Sequence, residues 1–135
     1  MFHWPIRVYY EDTDASGVVY HARYLHFFER ARTEFLRAAG HGQHDLMEQH
    51  GLAFTIARVS IDYRRPARLD DSLVVGTNLA TGRALIEFQQ ELRRDHGGEL
   101  LASASVRAGC VRMSDFRPQR IPASIATALK AFTSS

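Results

Sequence analysis

The sequence predicts an α+β fold: an antiparallel sheet of about five strands wrapped round one long central helix. Two observations carry this. Apolar residues recur at three- and four-residue steps over one long stretch, and they alternate with period two before and after it. The alternating segments that follow the helix are joined mostly by short turns, which favours antiparallel neighbours. An aromatic helix face and a sheet with one apolar face then bury each other. The 135 residues fit one domain, 1–135. A chain of this size buries roughly two-thirds of its unfolded surface.

The elements follow in order. Phe2, Trp4, Ile6, Val8 and Tyr10 share one face of a first strand, and Pro5, which lacks an N–H, suits a sheet edge. The acidic loop Glu11–Gly17 leads into the helix, expected to start near Val18–Tyr20 and to run to about Ala39. Tyr24, Phe27, Phe28, Ala31, Phe35 and Leu36 form its apolar face. Glu29 with Arg32, and Arg30 with Glu34, are spaced to pair along its surface. Gly40 ends the helix as a C-terminal cap does, and Gln43–His50 is a short helical candidate.

The period then changes to two. Ala53, Thr55, Ala57, Val59, Ile61 and Tyr63 make one face of a second strand, closed by Pro66. Leu73, Val75, Thr77 and Leu79 mark the third strand, and Thr81–Gly82 turns the chain. Ala84, Ile86, Phe88, Gln90 and Leu92 mark the fourth. After a turn at Asp95–Gly98 comes the fifth, with Leu100, Ala102, Ala104, Val106, Ala108 and Cys110 on one face. Pro122 opens a closing helix in which Ile125, Leu129 and Phe132 share a face.

Composition narrows the function. Apolar content of 45% and charged content of 24% are those of an ordinary soluble globular protein. No apolar run is long enough to cross a membrane, so no stable membrane insertion is expected. The start, MFHWPIR, is not a secretory signal. Cys110 is the single cysteine, which suits a reducing compartment and a cytoplasmic location. Net charge is +2 with no dense basic run, which argues against nucleic acid as a partner. Lys130 is the only lysine; the other basic residues are arginines, suited to bidentate phosphate and carboxylate contacts.

Asp14 is the first candidate for chemistry. The loop is expected to deliver it to the N-terminal end of the helix, where unpaired N–H groups and the helix dipole favour an anion. The plain alternative is a loop or N-cap carboxylate. Glu11 and Asp12 bring more acid than a cap needs, and Ala15–Val19 are small or apolar, which would leave Asp14 beside a dry slot. Such a carboxylate acts as a general base on water or attacks a carbonyl directly. The helix terminus supplies N–H donors for the developing oxyanion. His21 is the second candidate, through its ring as an acid or base or through its backbone N–H; the plain alternative is packing at the helix start. Arg58, Arg64, Arg65 and Arg68 are either a solvated sheet face or a phosphate-binding rim. HExxH, CxxC, GxSxG and the phosphate loops are absent, so no metal or cofactor is expected.

The stretch VYYEDTDASGVVYHARYLHFFERARTEFLR resembles the signature of the hotdog-fold thioesterases of the 4-hydroxybenzoyl-CoA thioesterase family. Within that family the chain is most similar to the YbgC type, acyl-CoA thioesterases associated with the Tol–Pal system of Gram-negative bacteria. DYRRPARLDD and the closing RPQRIP extend the likeness over nearly the whole chain. The resemblance implies the hotdog fold and a homodimer, commonly paired into a tetramer, with active sites at the subunit interface. It implies acyl-CoA as substrate, Asp14 as the catalytic aspartate, and the His21 N–H as the group that polarises the thioester carbonyl. Gly17, Tyr20, Arg64, Arg65 and Arg68 are expected to contact substrate. The alternative is a binding module for acyl carrier protein or for a membrane-biogenesis (Tol–Pal) complex, with residual thioesterase activity; the arginine rim would then meet an acidic carrier. A dehydratase on the same fold needs a different loop, and EDTDASG argues against it.

Overall fold

The structure, a computed structural model, describes residues 1–131. Five strands form one antiparallel sheet: β1 (Phe2–Arg7), β2 (Leu52–Tyr63), β3 (Ser72–Thr81), β4 (Leu85–Arg94) and β5 (Leu100–Arg112). Their order across the sheet is β1-β3-β4-β5-β2, so β1 and β2 are the edges. Helix α1 (Arg23–Ala38) lies on the sheet, a short helical segment α2 (Gln43–Asp45) continues into a wide turn at Leu46–His50, and α3 (Ala123–Ala131) follows β5.

The core is where the two periodicities meet. Tyr24, Phe27, Phe28, Ala31, Phe35 and Leu36 of α1 are all buried, as are Leu73, Val75, Thr77 and Leu79 of β3 and Ile86, Phe88, Gln90 and Leu92 of β4. Ala102, Ala104, Val106, Ala108 and Cys110 of β5 are small, and they leave room for the aromatic helix face. Pro5 sits on edge strand β1, opposite Val74, where its missing N–H costs no central ladder bond. Gly40 takes φ +86°, and His41 N–H and Gly40 N–H donate to the carbonyls of Leu36 and Arg37, at 2.9 and 3.0 Å. That is a Schellman cap, closing α1 where expected. Ile125 and Leu129 of α3 are buried, and Phe132 lies outside the described residues.

Four expectations are corrected. The first strand stops at Arg7 because Asp12 folds back and its Oδ2 accepts the Tyr9 N–H at 2.9 Å, closing a tight turn at Tyr10–Asp12. Tyr10 therefore leaves the apolar face and is 82% exposed. Helix α1 starts at Arg23 rather than near Val18–Tyr20. Val18 and Val19 are β-branched and are taken into bridges with Arg68 and Thr13 instead. Arg32 is not on the surface: it is buried and bonded to Gln90, and Glu34 pairs with Arg37 rather than Arg30. Finally, β2 has no continuous buried face. Most of it is exposed on both sides, with Ile56, Val59 and Tyr63 among the exposed apolar residues.

Candidate active site

The stretch around Asp14 folds into a small hairpin. Thr13 pairs with Val19, Asp14 N–H donates to the Val18 carbonyl at 3.0 Å, and Gly17 N–H donates back to the Asp14 carbonyl at 3.1 Å. Gly17 takes φ +82° at the turn, a conformation that glycine adopts without a Cβ clash. The Asp14 carboxylate accepts the Ser16 N–H at 2.9 Å and the Ser16 hydroxyl on the same oxygen. First the Ser16 hydroxyl, then its amide, hold Asp14 below the ordinary carboxylate range. It is ionised at neutral pH, which suits a nucleophile and weakens it as a base.

Asp14 is therefore neither an N-cap nor seated in a dry slot within one chain: it and Ala15, Ser16 and Gly17 are exposed. The N-cap position of α1 is Ala22, whose side chain cannot cap. The hairpin brings Asp14 to the helix indirectly. Val18, which holds the Asp14 amide, is three residues from His21, a reach of roughly 10 Å at full extension. Among the described residues the backbone N–H of His21 has no hydrogen-bond acceptor. It lies just ahead of the first turn of α1, where the dipole is positive and the site favours an incoming oxyanion. The His21 ring is exposed and lies 4.5 Å, centroid to centroid, from the ring of half-exposed Tyr20.

Two tyrosines that sequence reasoning missed hold this geometry. Tyr63, at the exit of β2, donates its hydroxyl to the His21 carbonyl at 2.9 Å. Tyr24, on α1, accepts the Ala67 N–H at 3.0 Å, and the Ala67 carbonyl accepts the Val19 N–H at 2.8 Å. Their rings meet edge to face at 5.1 Å. One tyrosine fixes the approach to the helix and the other fixes the returning arm of the hairpin. Burial, and then Tyr24, push the Tyr63 phenol above its ordinary range, so it stays a donor through neutral pH. The period-two and helical patterns assign both rings to packing, and only the fold shows where the hydroxyls point.

Asp12 is 2% exposed and serves the loop itself: its side chain holds Tyr9 and lies 3.9 Å from Arg23, and its carbonyl accepts the Tyr20 N–H at 2.9 Å. Arg68 is bridged to Val18 and so lies beside the hairpin. Arg64 and Arg65 stand at the other end of the same connection, their amides both donating to the Leu101 carbonyl at 2.8 and 3.1 Å. The side chains of all three are exposed, and no acceptor pairs with them among the described residues. Arg94 braces this connection through Asp71, through Glu99 at 2.8 Å and through the Pro66 carbonyl at 2.9 Å. Arg58 lies apart, on the exposed face of β2. Among the described residues no group of three His, Cys, Asp or Glu side chains is placed to hold a metal ion, and no helix is long and apolar enough to cross a membrane.

The chain is similar to known proteins in sequence and in fold. A model of the thioesterase-like superfamily matches residues 8–129. The chain is 48% identical over 128 residues to the acyl-CoA thioesterase YbgC of Haemophilus influenzae, covering 94% of this chain and 93% of that one. A probable thioesterase from Bartonella henselae is 38% identical, with a TM-score of 0.81 over 89% of this chain and 98% of its own. A 1,4-dihydroxy-2-naphthoyl-CoA thioesterase from Synechocystis, 24% identical, shares the fold at a TM-score of 0.88 over 96% and 95% of the two chains.

Proposed function

The chain belongs to the thioesterase-like superfamily as a hydrolase of acyl-CoA thioesters, and we propose that Asp14 and the His21 amide are the groups that carry its reaction. The observation that carries this is the unpaired His21 N–H ahead of α1, three residues along the chain from Val18, whose carbonyl holds the amide of ionised Asp14. A thioester carbonyl placed there directs its oxygen at the His21 N–H. As the carbon becomes tetrahedral, charge on that oxygen grows and the hydrogen bond strengthens. Asp14 attacks the carbon, the C–S bond breaks and CoA leaves as thiolate. Water then cleaves the resulting mixed anhydride to free acid and Asp14. In the alternative route Asp14 takes a proton from the water that attacks.

The exposed hairpin needs a second wall to exclude water. The unpaired edge of β2, with Ile56, Val59 and Tyr63 exposed, supports a homo-oligomer in which a second copy supplies that wall. Arg68 beside the hairpin, with Arg64 and Arg65, suits the phosphates of CoA. The same rim suits an acidic carrier protein. Changing Arg64 and Arg65 to Glu separates the two: KM for acyl-CoA rises if they meet CoA, and only carrier capture is lost if they meet a carrier. The likeness to YbgC extends the proposal to a cytoplasmic enzyme working beside Tol–Pal and to a tetramer of paired dimers. Gly17 and Tyr20, on the exposed side of the hairpin and the turn after it, complete the substrate-contacting set.

Asp14→Asn tests the assignment. Turnover of an acyl-CoA, followed by released thiol, falls by at least about a hundredfold while the fold is retained. Near-normal turnover removes Asp14 from the mechanism. In a single turnover in oxygen-18 water, label found in the Asp14 carboxylate excludes the pure general-base route, because it enters there only if the anhydride forms. A panel of short, long and aromatic acyl-CoAs then fixes the acyl preference.

A further inference from the structure

The connection between β2 and β3 touches the Asp14 hairpin at three successive residues. The Ala67 carbonyl accepts the Val19 N–H at 2.8 Å, Arg68 bridges Val18, and the Leu69 N–H donates to the Gly17 carbonyl at 3.4 Å. All three lie between Pro66 and Asp71. The returning arm of the hairpin therefore stands wherever this short run of chain stands.

One guanidinium holds the run at both ends. Arg94, the last residue of β4, gives each of its three nitrogens a different acceptor. Nη2 donates to the Pro66 carbonyl at 2.9 Å, Nη1 to Asp71 Oδ2, and Nε to Glu99 Oε1 at 2.8 Å. The same Asp71 oxygen accepts the Arg68 N–H at 2.8 Å, which closes the run from within. A rigid planar fork thus sets the separation of Pro66 and Asp71, where the point charge of a lysine could not. Its bonds to two carboxylates are charge-assisted and stronger than neutral ones.

The run needs such a hold. Asp70 takes φ +67°, a conformation that persists where the surroundings impose it. Tyr24 steadies the run from the helix side by accepting the Ala67 N–H at 3.0 Å, and Arg7 donates to the Asp70 carbonyl at 3.1 Å. Only Arg94 grips both ends. Glu99, just ahead of β5, ties the guanidinium back to the sheet. Every one of these bonds forms within a single chain, so none depends on what covers the hairpin from outside.

We propose that Arg94 is a positioning residue for the hydrolysis. By clasping Pro66 and Asp71 it fixes the run that holds Val18 and Val19, and through them the Asp14 carboxylate relative to the His21 amide. The inference rests on the roles given to Asp14 and His21 above. Arg94 acts through the backbone and takes no part in bond making or breaking.

Turnover and amide exchange of the intact protein test it. In Arg94→Met, kcat per folded molecule at saturating acyl-CoA falls by about tenfold to a hundredfold, the scale of a misplaced reacting group. The Val19 amide exchanges with solvent at least about tenfold faster, as local opening of the hairpin requires, while the amides of β3 keep their protection. Glu99→Gln removes an ion pair of the same arginine, keeps a neutral acceptor for Nε and leaves the clasp in place. Its kcat and its Val19 exchange stay within about twofold of the unaltered chain, as for a largely exposed pair. Asp71→Asn weakens the clasp at one end and moves both readouts the same way by less; it carries the test if Arg94→Met does not fold. An unchanged kcat in Arg94→Met, a fall in kcat with Val19 protection intact, or an equal fall in Glu99→Gln overturns the proposal. Asp14→Asn, measured beside these, keeps two failures apart. If it loses turnover and Arg94→Met does not, the proposal alone fails. If Asp14→Asn turns over near-normally, the role of Asp14 fails and takes the proposal with it.

Discussion

Phe28 and Asp14 are fourteen residues apart in the chain and in opposite surroundings. Phe28 is 1% exposed among other buried aromatics of α1 and the apolar faces of β3 and β4. Its position is set by many weak contacts, no one of which decides it. Asp14 is exposed and its position is set by a few directed bonds: two from Ser16, one to the Val18 carbonyl, one from Gly17. The first arrangement makes stability insensitive to chemistry on the surface. The second holds a carboxylate in place without burying it, which is what the role proposed for Asp14 requires. The core and the hairpin should respond to substitution in different measurements.

Phe35→Ala is the strongest test of that separation. Phe35 is fully buried and meets Phe2 edge to face at 5.3 Å. Truncation costs about 3–5 kcal/mol of stability, read as a lower urea midpoint. Turnover per folded molecule stays near that of the unaltered chain. Asp14→Asn should do the reverse, leaving the urea midpoint in place. If Phe35→Ala slows turnover of the folded fraction as strongly as Asp14→Asn does, the two regions are not separable.

The same contrast explains what the sequence could tell. The faces of α1, β3 and β4 were legible because each is buried on one side, and burial imposes the period directly. β2 shows an equally clear alternation yet stays exposed on both sides, because alternation records which residues share a face and not whether anything covers it. The acidic loop stood out as a candidate site from its residue types. Its geometry was not legible, since the pairing of Val18 with Arg68 and of Val19 with Thr13 joins segments distant in the chain or turns within it. Arg32 was misplaced for a related reason: helical spacing offered it Glu29, while the tertiary fold offered it Gln90, which comes from β4. The comparison predicts that β2 is completed by another copy. Val59→Asp, on its exposed surface, should reduce the assembly to single chains in sedimentation and lower turnover with it, whereas an unchanged mass would show that β2 is a finished edge.

Tyr63→Phe asks whether the two regions touch. The substitution removes one hydroxyl, the donor to the His21 carbonyl, and keeps the ring that packs on Tyr24. As a positioning residue, Tyr63 should act on kcat, with a loss of roughly tenfold, the size expected for about one hydrogen bond, and KM unchanged. A structural role alone would lower the urea midpoint and leave kcat in place.

The smallest expected effect probes the hairpin from inside. Ser16 lowers the proton affinity of Asp14 below its reference of 3.8, with its hydroxyl as the larger cause and its amide as the second. Ser16→Ala removes the first and keeps the second. The Asp14 pKa then moves upward, toward 3.8. The ionised form is the reactive one in either chemical route, so activity is present above the pKa and is lost as pH falls through it. The acid limb of kcat/KM should accordingly shift to higher pH in Ser16→Ala. At neutral pH both proteins hold Asp14 ionised, and their rates should agree within about twofold. A limb that does not move would mean that the group titrating in catalysis is not Asp14. A large loss at neutral pH would mean that the Ser16 hydroxyl aims the carboxylate as well as charging it, and that the hairpin, like the core, depends on contacts that cannot be removed one at a time.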